Sequence, residues 1–353
     1  MDAPTTKRRK RSDRLLAALA PFDRLLILMH DTPDPDAIAS AWAVSRLIRR
    51  RMGKRARIVS GGTIVRAENR HLMRLLKPPI ELVQELEVGP NTGIILVDCG
   101  AEAANHLTIN CGSKIAAVID HHATSRLKPK LAFVDIRPNV AACASLCAGY
   151  LREQRIEPDE RLATALIYAT RAETRGQEYH HSRHDRAVIS WVTGFANPAW
   201  LAEIECAPLP RTYFADLVLA LQNTFLYDDA ALCLLPQAEG PEIVGELADL
   251  LIRCDGVKRV LCGAAIDGGV TISVRTARDC CDAGQLVRRV LNGIGTGGGH
   301  HHRAGGRIPH LDGHIPESLV EDIRTRWLTA CHIDRERGTR LITLHELIEH
   351  LPT

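Results

Sequence analysis

Leu25-Leu26-Ile27-Leu28-Met29-His30-Asp31-Thr32-Pro33-Asp34-Pro35-Asp36 is the stretch on which the reading of this chain turns. Five consecutive apolar residues closed by polar and proline positions have the length of a strand buried on both faces, as in parallel sheets. His30, Asp34 and Asp36 follow its C-terminal end, where open α/β sheets bind ligands. The pattern recurs at Ala116-Ala117-Val118-Ile119, followed by Asp120, His121 and His122, and at Gly93-Ile94-Ile95-Leu96-Val97, followed by Asp98. Imidazole mixed with carboxylate suits manganese, iron or zinc better than calcium. Four aspartates gathered without a cation would repel one another at considerable cost.

Working outward, strand-like runs at 24–29, 56–60, 93–97, 115–119 and 131–134 alternate with helical stretches, which predicts an α/β domain with a parallel sheet. Residues 36–51 have helical spacing and place Asp36 in the first turn, where the helix dipole favours an anion. Residues 183–225, punctuated by Pro198, Pro208 and Pro210, read as connecting helices. From Tyr227 the pattern restarts: a strand at 231–235, a helix at 243–253, strands at 257–265 and 269–276, the glycine-rich run 293–306, and a helical tail containing 317–328. The expected organisation is a parallel-sheet domain over 14–195, a helical linker over 196–225 and a smaller α/β domain over 226–345.

With 353 residues, 45% of them apolar and 25% charged, the chain is long enough for two separate cores. A net charge of +3 does not by itself mark a nucleic-acid binder. The basic run Lys7-Arg8-Arg9-Lys10-Arg11 is expected to lie in a disordered, solvated tail over residues 1–13, the alternative being contact with RNA or another polyanion. No apolar stretch approaches the roughly 20 residues of a membrane span, and the basic N-terminus lacks an apolar signal core, so a cytoplasmic protein with no membrane partner is expected. The eleven cysteines do not form Cys-x2-Cys pairs; most are expected to be buried small hydrophobes.

The segments HDTPDPDAIASA (30–41), VDCG (97–100) and IDHHATS (119–125) resemble the first three motifs of the DHH phosphoesterase family. GGHHHRAGG (298–306) resembles the glycine-rich signature of the DHH-associated C-terminal domain. The resemblance implies an N-terminal parallel-sheet DHH domain, a smaller C-terminal α/β DHH-associated domain, and two divalent ions, with Mn2+ the favoured metal. It assigns His30, Asp34 and Asp98 to one ion, and Asp36, Asp98 and His121 to the other, with Asp98 as the bridge. His122 would face the scissile phosphate and Asp120 would orient the cluster, as metal-bound imidazoles require. Where the family's fourth motif supplies an aspartate after an apolar helix, this chain has Glu173, the candidate for the last ligand.

Other departures are Pro35 and Ala39 in place of the family's usual glycines, and the mostly apolar stretch Ala141-Ala142-Cys143-Ala144-Ser145 where polar residues are usual. In the second domain, the resemblance assigns substrate contacts to Arg275, Gly298, Gly299, His300, His301 and Arg303. Alignment on Arg303-Ala304-Gly305-Gly306 favours His301, the preferred match, whereas alignment on Gly297-Gly298-Gly299 favours His300. The glycine run lacks the lead-in strand and acidic partner of a dinucleotide fingerprint and the Lys-Ser/Thr of a P-loop, so it is expected to form a nest of exposed N–H groups. The implied activity is manganese-dependent hydrolysis of short oligonucleotides (nanoRNA), linear or cyclic dinucleotides, or nucleoside bisphosphates by a metal-activated water in the cleft between the domains. The alternatives are an exopolyphosphatase or pyrophosphatase, and a catalytically weak nucleotide-binding sensor. A homodimer is left open.

Overall fold

The computed structural model describes residues 9–64, 66–100, 106–107, 114–122, 131–174, 182–238, 240–277, 279–299, 301–309, 313–334 and 337–342. The chain divides into two compact units after Pro208. The first contains strands β1 (Arg24–Leu28), β2 (Ala56–Ser60), β3 (Glu81–Leu82), β4 (Thr92–Val97), β5 (Lys114–Asp120) and β6 (Phe133–Ile136). Its helices are α1 (Arg11–Leu19), α2 (Pro35–Met52), α3 (Ala67–Leu76), α4 (Cys143–Glu153), α5 (Glu160–Thr174), α6 (Arg183–Thr193) and α7 (Pro198–Glu205).

All six strands are parallel, in the order β3-β2-β1-β4-β5-β6. The order reverses between β1 and β4, which opens a crevice at their C-terminal ends. Leu28 pairs with Leu96, and Val97 with Ile119. Continuing those registers brings His30, Asp98 and Asp120 to the same level of the sheet. One sheet face packs Leu25, Ile27 and Met29 into a large core with α2, α4 and α5; the other buries Leu26, Leu28, Ile94 and Leu96 with Leu86 and Cys99.

Helix α2 shows how local chemistry sets the site. Asp34 is its N-cap and accepts hydrogen bonds from the backbone N–H groups of Asp36 and Ala37, at 2.9 and 3.0 Å. Pro35 occupies the first helical turn, where its missing N–H costs nothing, so this departure from glycine is a capping feature. Ala39 is fully buried within the helix.

The expectation of a solvated tail over 1–13 is corrected for its described part. Residues 1–8 lie outside the described residues, but helix α1 begins at Arg11, which is ion-paired with Asp135. Ser12 is fully buried, its N–H and hydroxyl both donating to the Glu153 carboxylate. Helix α1 is anchored because its apolar Leu15 and Leu19 enter the main core.

The second unit contains α8 (Arg211–Gln222), β7 (Thr224–Tyr227), β8 (Ala230–Leu235), α9 (Pro241–Leu251), β9 (Arg259–Ile266), β10 (Gly269–Thr276), α10 (Ala283–Leu291), β11 (Thr296–Gly299), β12 (Arg303–Pro309), α11 (Glu317–Cys331) and β13 (Thr339–Arg340). Its sheet runs β11-β12-β10-β9-β8-β7-β13. Only β8 and β9 pair in parallel, because α9 supplies the crossover between them. The expected nest at 293–306 is corrected: Thr296–Gly299 and Arg303–Pro309 are antiparallel strands, with Gly297 opposite Gly306 and Gly298 opposite Gly305.

Packing explains most of these glycines. A Cβ at Gly306 would stand 2.6 Å from the Thr296 carbonyl oxygen, and one at Gly297 would stand 2.9 Å from Leu291 of α10. Gly299 adopts φ +148°, outside the reach of most side chains. Among the described cysteines six are buried, and none is in a disulfide. No described helix is long and apolar enough to cross a membrane.

Candidate metal centre

The three strand exits converge. Nε2 of His30 lies 3.7 Å from Asp98 Oδ2 and 3.8 Å from Asp34 Oδ1. Nε2 of His121 lies 3.6 Å from both Asp98 Oδ1 and Asp36 Oδ2, and His122 Nδ1 lies 3.7 Å from Asp98 Oδ1. These separations exceed hydrogen-bond length and leave room for an ion between the donor atoms. Two groups of ligand atoms form, His30-Asp34-Asp98 and Asp98-His121-His122, each with all atoms within 4.8 Å of one another. Asp98 is common to both.

Backbone carbonyls orient the imidazoles. His30 Nδ1 is 2.9 Å from the Asp31 carbonyl oxygen, and His121 Nδ1 is 3.3 Å from that of Val140. A proton on each Nδ1 satisfies those carbonyls and leaves Nε2 as the lone-pair side facing the carboxylates, the usual arrangement of a metal-ligating histidine. Asp120 grips His122 twice, at 3.0 Å from its N–H and 2.7 Å from Nδ1. The His122 side chain is 40% exposed, whereas that of Asp98 is 2% exposed. His122 is thus, with Asp34 at the same 40%, one of the two most exposed side chains of the cluster.

Asp98 carries two signs of constraint. Its backbone is left-handed, at φ +58°, a region that non-glycine residues enter at a cost, asparagine and aspartate most readily. Its Oδ1 is buried and, among the described residues, accepts no hydrogen bond. Burial, together with the charge of Asp36, pushes its carboxyl up to about 7. Burial and the charges of Glu173 and Asp34 also raise Asp36 well above the carboxylate range. For His122 burial acts downward, but the hydrogen bond to Asp120 and nearby carboxylate charge outweigh it and raise the imidazole to about 9. Such a cluster is short of positive charge, and mixed imidazole and carboxylate donors around a buried orphan oxygen fit a divalent ion.

Asp36 does more than face His121. Its carboxylate accepts the N–H groups of Cys143 at 2.7 Å and Ala144 at 2.6 Å, capping α4 across the fold. The apolar stretch 141–145 thus contributes backbone groups where side chains offered no signal. Ala141 N–H donates to Asp185, a fully buried carboxylate that also caps α6, and Val140 holds His121. Asp185 was not singled out from the sequence; its position three residues after Ser182, in a capping box, was the available cue. Glu173 lies at the end of α5, and its charge acts on both Asp36 and His122. The structure therefore gathers His30, Asp34, Asp36, Asp98, Asp120, His121 and His122 into one cluster, with Glu173 in electrostatic reach.

The residues proposed from the second unit have a different setting. Arg275 is 6% exposed and ion-paired to Asp249, and it donates to Ser273 Oγ at 2.8 Å and to the Val274 carbonyl at 3.0 Å. Arg303 lies across the ladder from Arg275, 3.6 Å from the same Asp249. His301 is exposed and stacks edge-on with His302, while His300 lies outside the described residues. At Gly298 an added Cβ would meet nothing within 4 Å, so packing does not require glycine there.

The first unit is a parallel α/β domain with a candidate metal site at its topological switch point, and comparison gives that domain a family. Residues 24–170 match the DHH family, N-terminal domain, and the chain carries that domain. An uncharacterised protein of Methanocaldococcus jannaschii is 29% identical over 81% of this chain, which spans 58% of that relative's length. Among solved structures, an exopolyphosphatase-related protein from Bacteroides fragilis shares the fold, with TM-score 0.69, 15% identity and coverage of 90% of this chain and 96% of that one. A pGpG-specific phosphodiesterase from Vibrio cholerae is also similar, at 11% identity over 88% of this chain and 99% of that one, with TM-score 0.32.

Proposed function

We propose that the protein is a divalent-metal-dependent phosphoesterase acting on short oligonucleotides, linear or cyclic dinucleotides, or nucleoside bisphosphates. The family is one of metal-dependent phosphoesterases, and the observation that carries the reading is Asp98, shared by two ligand groups with a buried oxygen that accepts no hydrogen bond. His30, Asp34 and Asp98 would hold one ion. Asp36, Asp98, His121 and Glu173 would hold the other, with manganese suited to this donor set. Bound divalent ions supply charge neutralisation at phosphorus and activation of water.

The chain's own residues do the remaining work. His122 is partly exposed and Asp120 holds its ring through Nδ1, and it is read as the group that meets a phosphate or leaving oxygen. As an imidazolium it offers both charge and a proton. Carbonyls of Asp31 and Val140 keep His30 and His121 in the ligating tautomer. In the second unit, His301, Arg303 and the uncovered backbone at Gly298 and Gly299 are read as contacts for substrate phosphate or base. Arg275 would act there by fixing Asp249 and through it Arg303.

The test is a substrate panel. Purified protein with Mn2+ is incubated with pApA, longer nanoRNA, cyclic dinucleotides, 3′-phosphoadenosine 5′-phosphate and inorganic polyphosphate, and products are resolved chromatographically. Turnover of a nucleotide that EDTA abolishes is expected. Hydrolysis of polyphosphate alone would replace this reading with an exopolyphosphatase.

A further inference from the structure

On the flank of α2 well away from the metal centre, a cavity of about 490 Å³ is lined by Trp42, Ser45, Arg46, Arg49, Arg50 and Pro79. Its volume lies within the range of small-molecule sites, roughly 300–1,000 Å³. At 1.5 Å per residue, Arg46 to Arg50 stand roughly 15–20 Å along the helix from Asp36. The three arginines are spaced i, i+3 and i+4, so they share one helix face and repel one another. Burial and the charges of Arg50 and Arg49 accordingly weaken the hold of Arg46 on its proton.

Countercharge is scarce. Arg46 is ion-paired with Asp159, but among the described residues neither Arg49 nor Arg50 has a carboxylate partner. Cations in a last helical turn compensate the dipole, and Arg49, Arg50 and Arg51 do sit there. That role does not account for Arg46, a full turn earlier, nor for a cavity walled by an indole and a hydroxyl. Helix α1 packs nearby on the same unit and places basic Lys10 and Arg9 at its start, with Lys10 donating to the Glu153 carbonyl oxygen and Arg51 to that of the adjacent Gln154. Lys10 and Arg51 thus both reach the C-terminal end of α4.

We propose that this cavity is a second anion site, which binds a multiply charged phosphate chain separately from the metal centre. Arg49 and Arg50 clamp the phosphates, Arg46 exchanges Asp159 for the ligand, and Ser45 donates a hydrogen bond. The chain belongs either to a nucleoside triphosphate or to inorganic tripolyphosphate; the recognition chemistry is the same. The inference is independent of the activity proposed above.

The experiment is calorimetry on the full chain in EDTA, which keeps divalent ions from the metal centre, with tripolyphosphate and ATP titrated separately at low salt. One-to-one binding that weakens with added salt is expected. The double variant Arg49→Gln/Arg50→Gln, changed only at exposed positions, should weaken it by roughly 10- to 100-fold, the loss of two charge-assisted contacts. Asp159→Asn should tighten it by releasing Arg46. Tighter binding of ATP than of tripolyphosphate would identify the nucleotide, and equal binding the phosphate chain. Absence of binding to wild type at millimolar concentration, or equal binding by wild type and the double variant, would overturn the site.

Discussion

The strand ends of the first unit and the β10–β12 ladder of the second both bury charged residues, in opposite states of satisfaction. At the first, Asp98 is buried, left-handed in backbone and without a hydrogen bond to Oδ1, surrounded by other carboxylates. At the second, Arg275 is equally buried but answered by Asp249, Ser273 and two carbonyls, and the neighbouring glycines mostly answer to packing. Buried carboxylates gathered together and left unanswered by the fold are the signature of a cation site, whereas a buried charge that the fold answers is architecture.

The contrast is broken most directly at Asp98. Asparagine also tolerates the left-handed backbone, so Asp98→Asn removes charge without adding strain. Metal content should fall, and turnover should drop by more than about 100-fold, beyond the cost of losing even an outer contact. Wild-type metal content and rate in this variant would remove Asp98 from the centre.

Arg275→Ala tests the other side. Removing one partner of a buried pair should cost about 2–3 kcal/mol, less than a fully buried pair because Asp249 keeps Arg303 nearby. The thermal midpoint should fall by about 5–10 °C. A variant with unchanged stability but weakened nucleotide binding would move Arg275 from architecture to recognition.

Glu173→Gln should weaken one of two calorimetric metal-binding events by about tenfold or more, while Glu173→Asp retains both. Two unchanged events would leave Glu173 as a helix-end acid.

Proton linkage gives a smaller, graded effect. Below about pH 7 the metal-free protein holds a proton on Asp98 that a cation must displace. Apparent metal affinity should therefore fall by roughly tenfold per pH unit below that point, with proton release visible in buffers of different ionisation enthalpy. In the unfolded chain the same carboxyl titrates near 3.9. The folded state binds more protons between about pH 4 and 7, so this group's contribution to metal-free stability declines as pH rises through that window. Metal affinity that stays flat from pH 5.5 to 7.5 would contradict the assignment.

The smallest change expected is at Gly298, where alanine has room. Gly298→Ala should shift stability by less than about 0.5 kcal/mol, whereas Gly306→Ala should destabilise by about 1–3 kcal/mol because of its backbone neighbour. Equal destabilisation by both would show that packing governs the whole hairpin.

Much of the first unit was legible because its signals are local. A continuous apolar run specifies a buried strand, and Asp34 two and three positions before N–H groups in need of a partner specifies a helix start. The ligand types at three strand exits follow from adjacent residues in the chain. The glycine run misled in its expected geometry because glycine marks close approach equally well for a ligand and for a helix, here α10.

By itself the sequence determined the central strands β1, β2, β4 and β5, the helical course of α2 and the residue types that follow three of the strand ends. The tertiary structure alone decided that β1 lies beside β4 and β4 beside β5, since strand order depends on crossovers that no local pattern encodes. It also decided the use of the 140–144 backbone and the pairing of Arg275 with Asp249. Backbone N–H and carbonyl groups are the same at every residue, and ion pairs between distant segments form only once folding has brought them together.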